Sequence, residues 1–245
     1  MAAGGLTGAR IGIAKEFFGE DRRVVQILDG AVDRIKQSGG IPVMLSDDQL
    51  APKRLDPIFP SWLVVTTTEF KAGLNRYLQT RGTAAPVKTL KDVIEFNIRA
   101  RDPLRVVDQQ LLLSSEAAGP LTDDEYRKAA AVVRSATRDD GLDPVFRTNR
   151  LDCVIAPTVP IPASVSDPID GDSLPPTGGL LSYAAMAGYP SLTMPIGAIV
   201  GLPIGLCLVG QPWRDAELVR IAYAIEQATK ARTPPRFLET VALGV

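Results

Sequence analysis

The apolar positions of this chain follow two regimes: short strand-like runs toward both ends, and long helical stripes between them. Near the start, "RIGIA" (Arg10 to Ala14) reads as a strand. The following "RRVVQILDGAVDRIKQSGG" sets Val24, Ile27, Leu28, Ala31, Val32 and Ile35 at helical spacing before the stop signal Gly39-Gly40. "IPVML" reads as a second strand, so the opening predicts a strand, helix, strand unit of the kind that builds a parallel sheet. From about Pro60 the period is helical: "SWLVVTTTEFKAGLNRYL" puts Leu63, Thr67, Phe70, Leu74 and Tyr77 on one stripe, and "LKDVIEFNIRA" repeats it with Leu90, Val93, Ile94 and Ile98. Pro103 forces a break. "TDDEYRKAAAVVRSA" opens a third helix, with Thr122 and Glu125 as a capping box and Asp123 and Asp124 placed where the helix dipole favours them.

"LDCVIAPT" is another buried strand, and it leads into "PTVPIPASVSDPIDGDSLPPTGG", whose prolines, glycines and aspartates forbid regular structure. Loops of this length inside compact domains are uncommon and often functional. From Ser173 to Trp213 the chain carries no Asp, Glu, Lys or Arg, although 22% of all its residues are charged. A membrane helix needs roughly 20 apolar residues. The window Ser191 to Gly210 has that length, but Pro195 and Pro203 with Gly197, Gly201, Gly205 and Gly210 would break a helix twice. The better parse is a short helix "GLLSYAAMAG", a strand "SLTMPIG", a turn through Ile199 to Leu202, and a strand "PIGLCLVG", with both strands buried inside a sheet covered on its two faces. "RDAELVRIAYAIEQATKAR" closes the pattern as an amphipathic helix with Leu218, Ile221, Ala222, Ile225 and Ala228 inward, and the tail beyond Pro234 reads as a surface strap.

Composition narrows the functional classes. The 245 residues are 45% hydrophobic, enough to bury a real core, and 27 basic against 28 acidic residues give a net charge of -1 with no basic block to meet nucleic acid. No secretory signal or membrane span is expected, and the default location is the cytoplasm. The two cysteines, Cys153 and Cys207, sit in apolar strands and read as buried thiols. Histidine is absent, which excludes catalytic histidine dyads and triads and leaves no plausible zinc site; no metal and no cofactor is expected.

"AGYPSLTMPIG", continuing into "GLPIGLCLVGQPWRDAELVRIAYAIEQAT" and preceded by "LDCVIAPTVPIPAS", resembles the C-terminal part of the amidase signature family, serine hydrolases that cleave carboxamides. "GLTGARIGIAKEFFGED", "EFKAGLNRYL" and "KTLKDVIEFNIRARD" are similar to the central portion of its peptide amidase-like members. The resemblance runs through nearly the whole chain in order. It implies an α/β fold, part of the amidase-signature architecture, with a mixed, mostly parallel sheet covered by helices, and a single partial domain over residues 1–245.

The family's chemistry uses a serine, cis-serine and lysine triad whose serines lie in a Gly/Ser-rich signature of the type GGSSGG, in the N-terminal half. No such signature occurs here. Ser114-Ser115 in "LLLSSEAAG" lack the glycines that shape an oxyanion hole and read as helix residues; Lys15 reads as a surface lysine; "GGLTG" precedes a strand instead of following one, the wrong context for a phosphate loop. No catalytic residue is therefore assigned. The resemblance carries over only a substrate-facing wall: Thr158, Pro160 and Ile161 in the loop that lines the acyl pocket in relatives, and Trp213, where some relatives place an aromatic along the substrate channel. Three functions follow as expectations: the C-terminal portion of a carboxamide hydrolase, inactive alone and completed by an N-terminal amidase chain; a non-catalytic assembly partner; or the amidase component of a tRNA-dependent amidotransferase.

Overall fold

The computed structural model of the chain describes residues 3–100, 108–159, 179–235 and 237. They divide into two compact units, one built from the chain up to Asp56 together with the chain from Ser135 onward, the other from Pro57–Arg134.

The first unit holds a five-stranded sheet. Strands β1 (Arg10–Ile13), β2 (Ile41–Met44), β3 (Cys153–Pro157), β4 (Ser191–Ile199) and β5 (Leu202–Gly210) take the order β2-β1-β3-β5-β4. β1 pairs in parallel with β2 and β3, whereas β5 is antiparallel to both β3 and β4. Four strands thus run one way and β5 runs against them, which makes the sheet mixed, as the family resemblance implies. The reversal follows from the connection: β4 and β5 are joined by Val200 and Gly201 alone, and a two-residue hairpin can join only antiparallel strands. Both residues have positive φ, 50° and 79°, as a type I′ turn demands. β4 is an edge strand, the place where Pro195 is tolerated, and its register slips between Pro195 and Gly197.

Helices α1 (Arg22–Gln37) and α8 (Asp215–Thr229) cover one face. Asp21 caps α1 by accepting from the Arg23 N–H at 2.9 Å, and Arg23 holds that carboxyl down at about 2. Val24, Leu28, Ala31 and Ile35 of α1 and Leu218, Ile221, Ala222 and Ile225 of α8 pack on Ile11, Ile13, Cys153, Ile155, Leu206 and Leu208. These are the stripes that the helical spacing predicts. α7 (Leu180–Ala187), closed by Gly188 at φ 67°, packs against β3 and β5. Tyr183 of α7 is fully buried, donates to the Ala51 carbonyl at 3.1 Å and meets Phe17 edge-on. Between Ser135 and Leu142 the backbone forms a π-helical stretch, unforeseen by spacing, which runs into α6 (Asp143–Asn149). Gly141 fits it because a Cβ there would stand 2.8 Å from the Ala136 carbonyl oxygen.

The second unit is helical: α2 (Phe59–Thr80), α3 (Leu90–Ala100), α4 (Gln110–Ala117) and α5 (Asp124–Arg134). The predicted stripe of α2 is not its buried one. Val65, Thr68 and Leu78 are buried, while Leu63, Phe70 and Tyr77 are 41%, 43% and 57% exposed. α2 is apolar on more than one side, so period alone does not choose the face; packing against α4 and α5 does. In α3, Leu90 and Ile94 are buried as expected but Ile98 is exposed. α5 starts one residue later than the Thr122 cap implies, with the Arg127 N–H bonding the Asp123 carbonyl. No helix among the described residues is long and apolar enough to cross a membrane.

The hairpin makes a direct prediction. A β-branched residue at positive φ is strained, and Asn is the favoured residue at that position of a type I′ turn. Val200→Asn should raise stability by about 1 kcal/mol in urea unfolding; an unchanged or lower midpoint would count against the turn type. The exposed apolar residues of α2 also favour self-association, and light scattering of the purified chain should show oligomers.

Candidate functional site

The residues singled out from sequence fall at two places. Thr158 follows β3 directly, and its N–H donates to the Gly205 carbonyl at 2.8 Å, extending the β3–β5 ladder by one bond. Its hydroxyl is hydrogen-bonded to that of Thr193 on β4 at 2.5 Å, across the middle strand. Gly205 lies between them because nothing larger fits: a Cβ there would stand 2.7 Å from Thr158 Oγ1 and 3.0 Å from Thr193 Oγ1. Thr158 is half-buried and Thr193 exposed, so the pair forms a small polar shelf at this end of the sheet. Two hydroxyls bonded to each other can orient a polar group such as a carboxamide, but they supply no base to activate a nucleophile. Pro160 and Ile161 lie outside the described residues.

Trp213 stands at the other end of β5. Cys153 pairs with Gly210 and Pro157 with Leu206, so the run from Gly205 to Gly210 separates the threonine shelf from the turn that carries Trp213. At ~3.4 Å per residue that is roughly 17 Å along the strand. The described geometry therefore does not gather Thr158 and Trp213 into one cavity. Trp213 is 95% exposed and lines an open cavity of about 310 Å³ with Arg138, Gly188, Tyr189, Pro190, Pro212 and Asp215. Arg138, Thr193 and Gly205 carry no local signal in the sequence, since their partners lie tens of residues away in the chain.

The decoys have structural uses. Ser115 is buried in α4 and its hydroxyl donates to the Leu111 carbonyl at 2.7 Å, a bond within its own helix; Ser114 is exposed beside it. Lys15 is exposed. "GGLTG" begins in a short 3-10 turn (Ala3–Leu6) whose Gly5 carbonyl accepts from Arg220 of α8. Cys153 and Cys207 are free and buried; burial pushes the Cys153 thiol well up, and the Cys207 thiol to about 12. Both stay protonated at neutral pH, which removes the thiolate needed for attack. No cluster of three His, Cys, Asp or Glu suited to a metal ion occurs among the described residues.

A family model described as Amidase matches residues 2–219. The chain belongs to the amidase family. Its fold is similar to that of native peptide amidase from Stenotrophomonas maltophilia, at 34% identity and a TM-score of 0.80, over 97% of this chain and 46% of that one. In sequence it is 27% identical to a glutamyl-tRNA(Gln) amidotransferase subunit of Thermodesulfovibrio yellowstonii, over 91% of this chain and 46% of that protein. It is 26% identical to a probable amidase of Arabidopsis thaliana, over 97% and 41% respectively. The chain thus spans less than half the length of each of these amidase relatives.

Two outcomes test this geometry. Gly205→Ala should push the threonine hydroxyls apart and cost about 1–3 kcal/mol in urea unfolding; a neutral effect would mean that the shelf is looser than its distances imply. With both thiols buried and held above their ordinary range, the native chain should release no chromophore from Ellman's reagent at pH 8, and both should react once urea unfolds it.

Proposed function

We propose that this chain supplies the C-terminal portion of an amide hydrolase of the peptide amidase kind, acting on small-molecule or peptide carboxamides in the cytoplasm. The observation that carries this reading is the 34% identity to the Stenotrophomonas peptide amidase over 97% of the chain. In the family, a lysine-activated serine attacks the amide carbonyl, expels ammonia or an amine, and leaves an acyl-enzyme that water then hydrolyses. The Gly/Ser-rich signature that carries the family's serines has no counterpart in this sequence. The chain's own share is then a wall of the acyl pocket, to which we assign Thr158, with Thr193 beside it and Pro160 and Ile161 beyond it. The threonine hydroxyls would hold the substrate's polar edge while chemistry is done by residues of an N-terminal segment.

A second reading, the amidase component of a tRNA-dependent amidotransferase, is favoured by sequence matches to glutamyl-tRNA(Gln) amidotransferase subunits, whose identities run from 25% to 29%. We rank it lower because the peptide amidase match is stronger in sequence and close in structure.

Isolated chain incubated with C-terminally amidated peptides should release no ammonia, and activity should appear on mixing with an N-terminal amidase half. Turnover by the isolated chain that is lost in Ser114→Ala or Ser115→Ala would overturn the assignment of chemistry to a separate segment. A stable complex with no turnover would favour a purely structural assembly partner.

A further inference from the structure

The cavity beneath Trp213 holds a cation with unspent hydrogen-bonding capacity. Arg138 lies on the π-helical stretch, a feature frequent at functional sites. Its Nε donates to the carbonyl of Ala187, the last residue of α7, at 2.6 Å, and its guanidinium lies 5.7 Å from the centre of the Tyr189 ring. Nη2 is 3.2 Å from where a Cβ on Gly188 would be, a tight approach that a larger residue would crowd, and Gly188 also stands at φ 67°. The group is thus fixed at its Nε and across its plane. Among the described residues, Nη1 and Nη2 have neither a hydrogen bond nor an ion pair. The neighbouring acids do not pair with it: Asp143 accepts from the Tyr189 hydroxyl, and Asp215 stands on the rim at the start of α8.

The second observation is the backbone under Trp213. The Arg214 N–H bonds the Gln211 carbonyl at 3.1 Å, closing a turn with Pro212 and Trp213 at its centre, and Trp213 has φ 65°. In a turn that starts with Pro and takes positive φ next, that second position is where glycine belongs. Here it carries the largest of all side chains, almost entirely in solvent, so packing does not offset the strain.

We infer that this cavity binds a monocarboxylate carried on an apolar, flat body, such as the free C-terminus of a short peptide ending in an aromatic residue. The carboxylate takes the two free guanidinium nitrogens side by side, the geometry in which arginine recognises carboxylates. The body lies between the Trp213 indole and Pro190 and Pro212. Asp215 on the rim adds repulsion against a second negative charge, which selects against phosphate esters and dicarboxylates. This inference does not rest on the amide-hydrolase reading, because the cavity lies at the far end of β5 from Thr158.

The test is calorimetric titration of the full chain with N-acetyl-phenylalanine and, separately, with its carboxamide, which has the same body without the charge. The acid should bind about tenfold or more tightly than the carboxamide, as expected for loss of one charge-assisted contact. Arg138→Met should bring the acid down to the level of the carboxamide. Trp213→Gly should weaken the acid while raising the urea midpoint, because it relieves the turn; this variant keeps the inference testable if Arg138→Met fails to fold. Equal binding of acid and carboxamide, no saturable heat up to about 10 mM acid, or undiminished binding by Trp213→Gly would each overturn it.

Discussion

The rest of the first unit depends on β5 lying, reversed and without charge, in the interior of the sheet. It supplies the backbone partners of both β3 and β4, and from Leu206 to Gly210 every residue is buried. A strand in that position must send apolar side chains to both faces. Leu206 and Leu208 meet the core under α1 and α8, while Cys207 and Val209 occupy the alternate positions facing the other way. A single charge there would be desolvated with no partner, at a cost beyond what one residue's packing returns. This is the physical content of the long run without Asp, Glu, Lys or Arg. The two-residue hairpin ahead of β5 is what makes its direction antiparallel, and so what makes the sheet mixed.

Much of this was legible because it is local. The hairpin, the burial of β3 and β5 and the inner faces of α1 and α8 each follow from spacing and from turn residues within one segment; β4, expected in the covered interior, is instead the edge strand, with Ser191 and Thr193 exposed, because strand order is not a local property. Where tertiary choice decides, local pattern fails. α2 offers two apolar faces, and only the arrival of α4 and α5 settles which one is buried, so Leu63, Phe70 and Tyr77 end outside. The π-helical stretch failed for a related reason: "SATRDDGL" has no strong period, and its geometry is set by Gly141 and by what packs on it. The candidate site residues show the same limit. Thr158 was reachable through a motif, but Thr193 and Gly205 join it only through strand register, and Arg138 reaches Ala187 across 49 positions of chain.

The two ends of β5 differ in how they use polar groups. At the Gly205 end, one of the hydroxyls of Thr158 and Thr193 donates to the other, which keeps its own proton for a further partner, and a glycine is kept so that they can meet. At the Gly210 end, a guanidinium is anchored through one nitrogen and left open at two. Among the described residues, several polar side chains are spent on structure: Lys71 donates to the carbonyls of Glu116 and Ala118 at the end of α4, Arg54 to those of Asp48, Gln49 and Asp140, and Gln211 to that of Leu151. The Arg10 side chain is likewise anchored through Nε alone, on the Asn149 carbonyl, so what sets Arg138 apart is the cavity it lines together with Trp213.

Strain points the same way. Val200 and Trp213 are both non-glycine residues in left-handed backbone, but their circumstances differ. Val200 is followed by Gly201 in a hairpin whose geometry needs positive φ, and its side chain is half exposed at a tip; strain there is the cost of closing the turn with a suboptimal residue. Trp213 occupies a comparable slot beside a cavity holding an under-used arginine, and its indole contributes almost nothing to the core. A residue that neither relaxes the backbone nor fills the interior stabilises the free chain through neither route. On the inference drawn above, its contribution is made in a bound state, where the exposed indole gains an apolar contact that the unliganded fold does not give it.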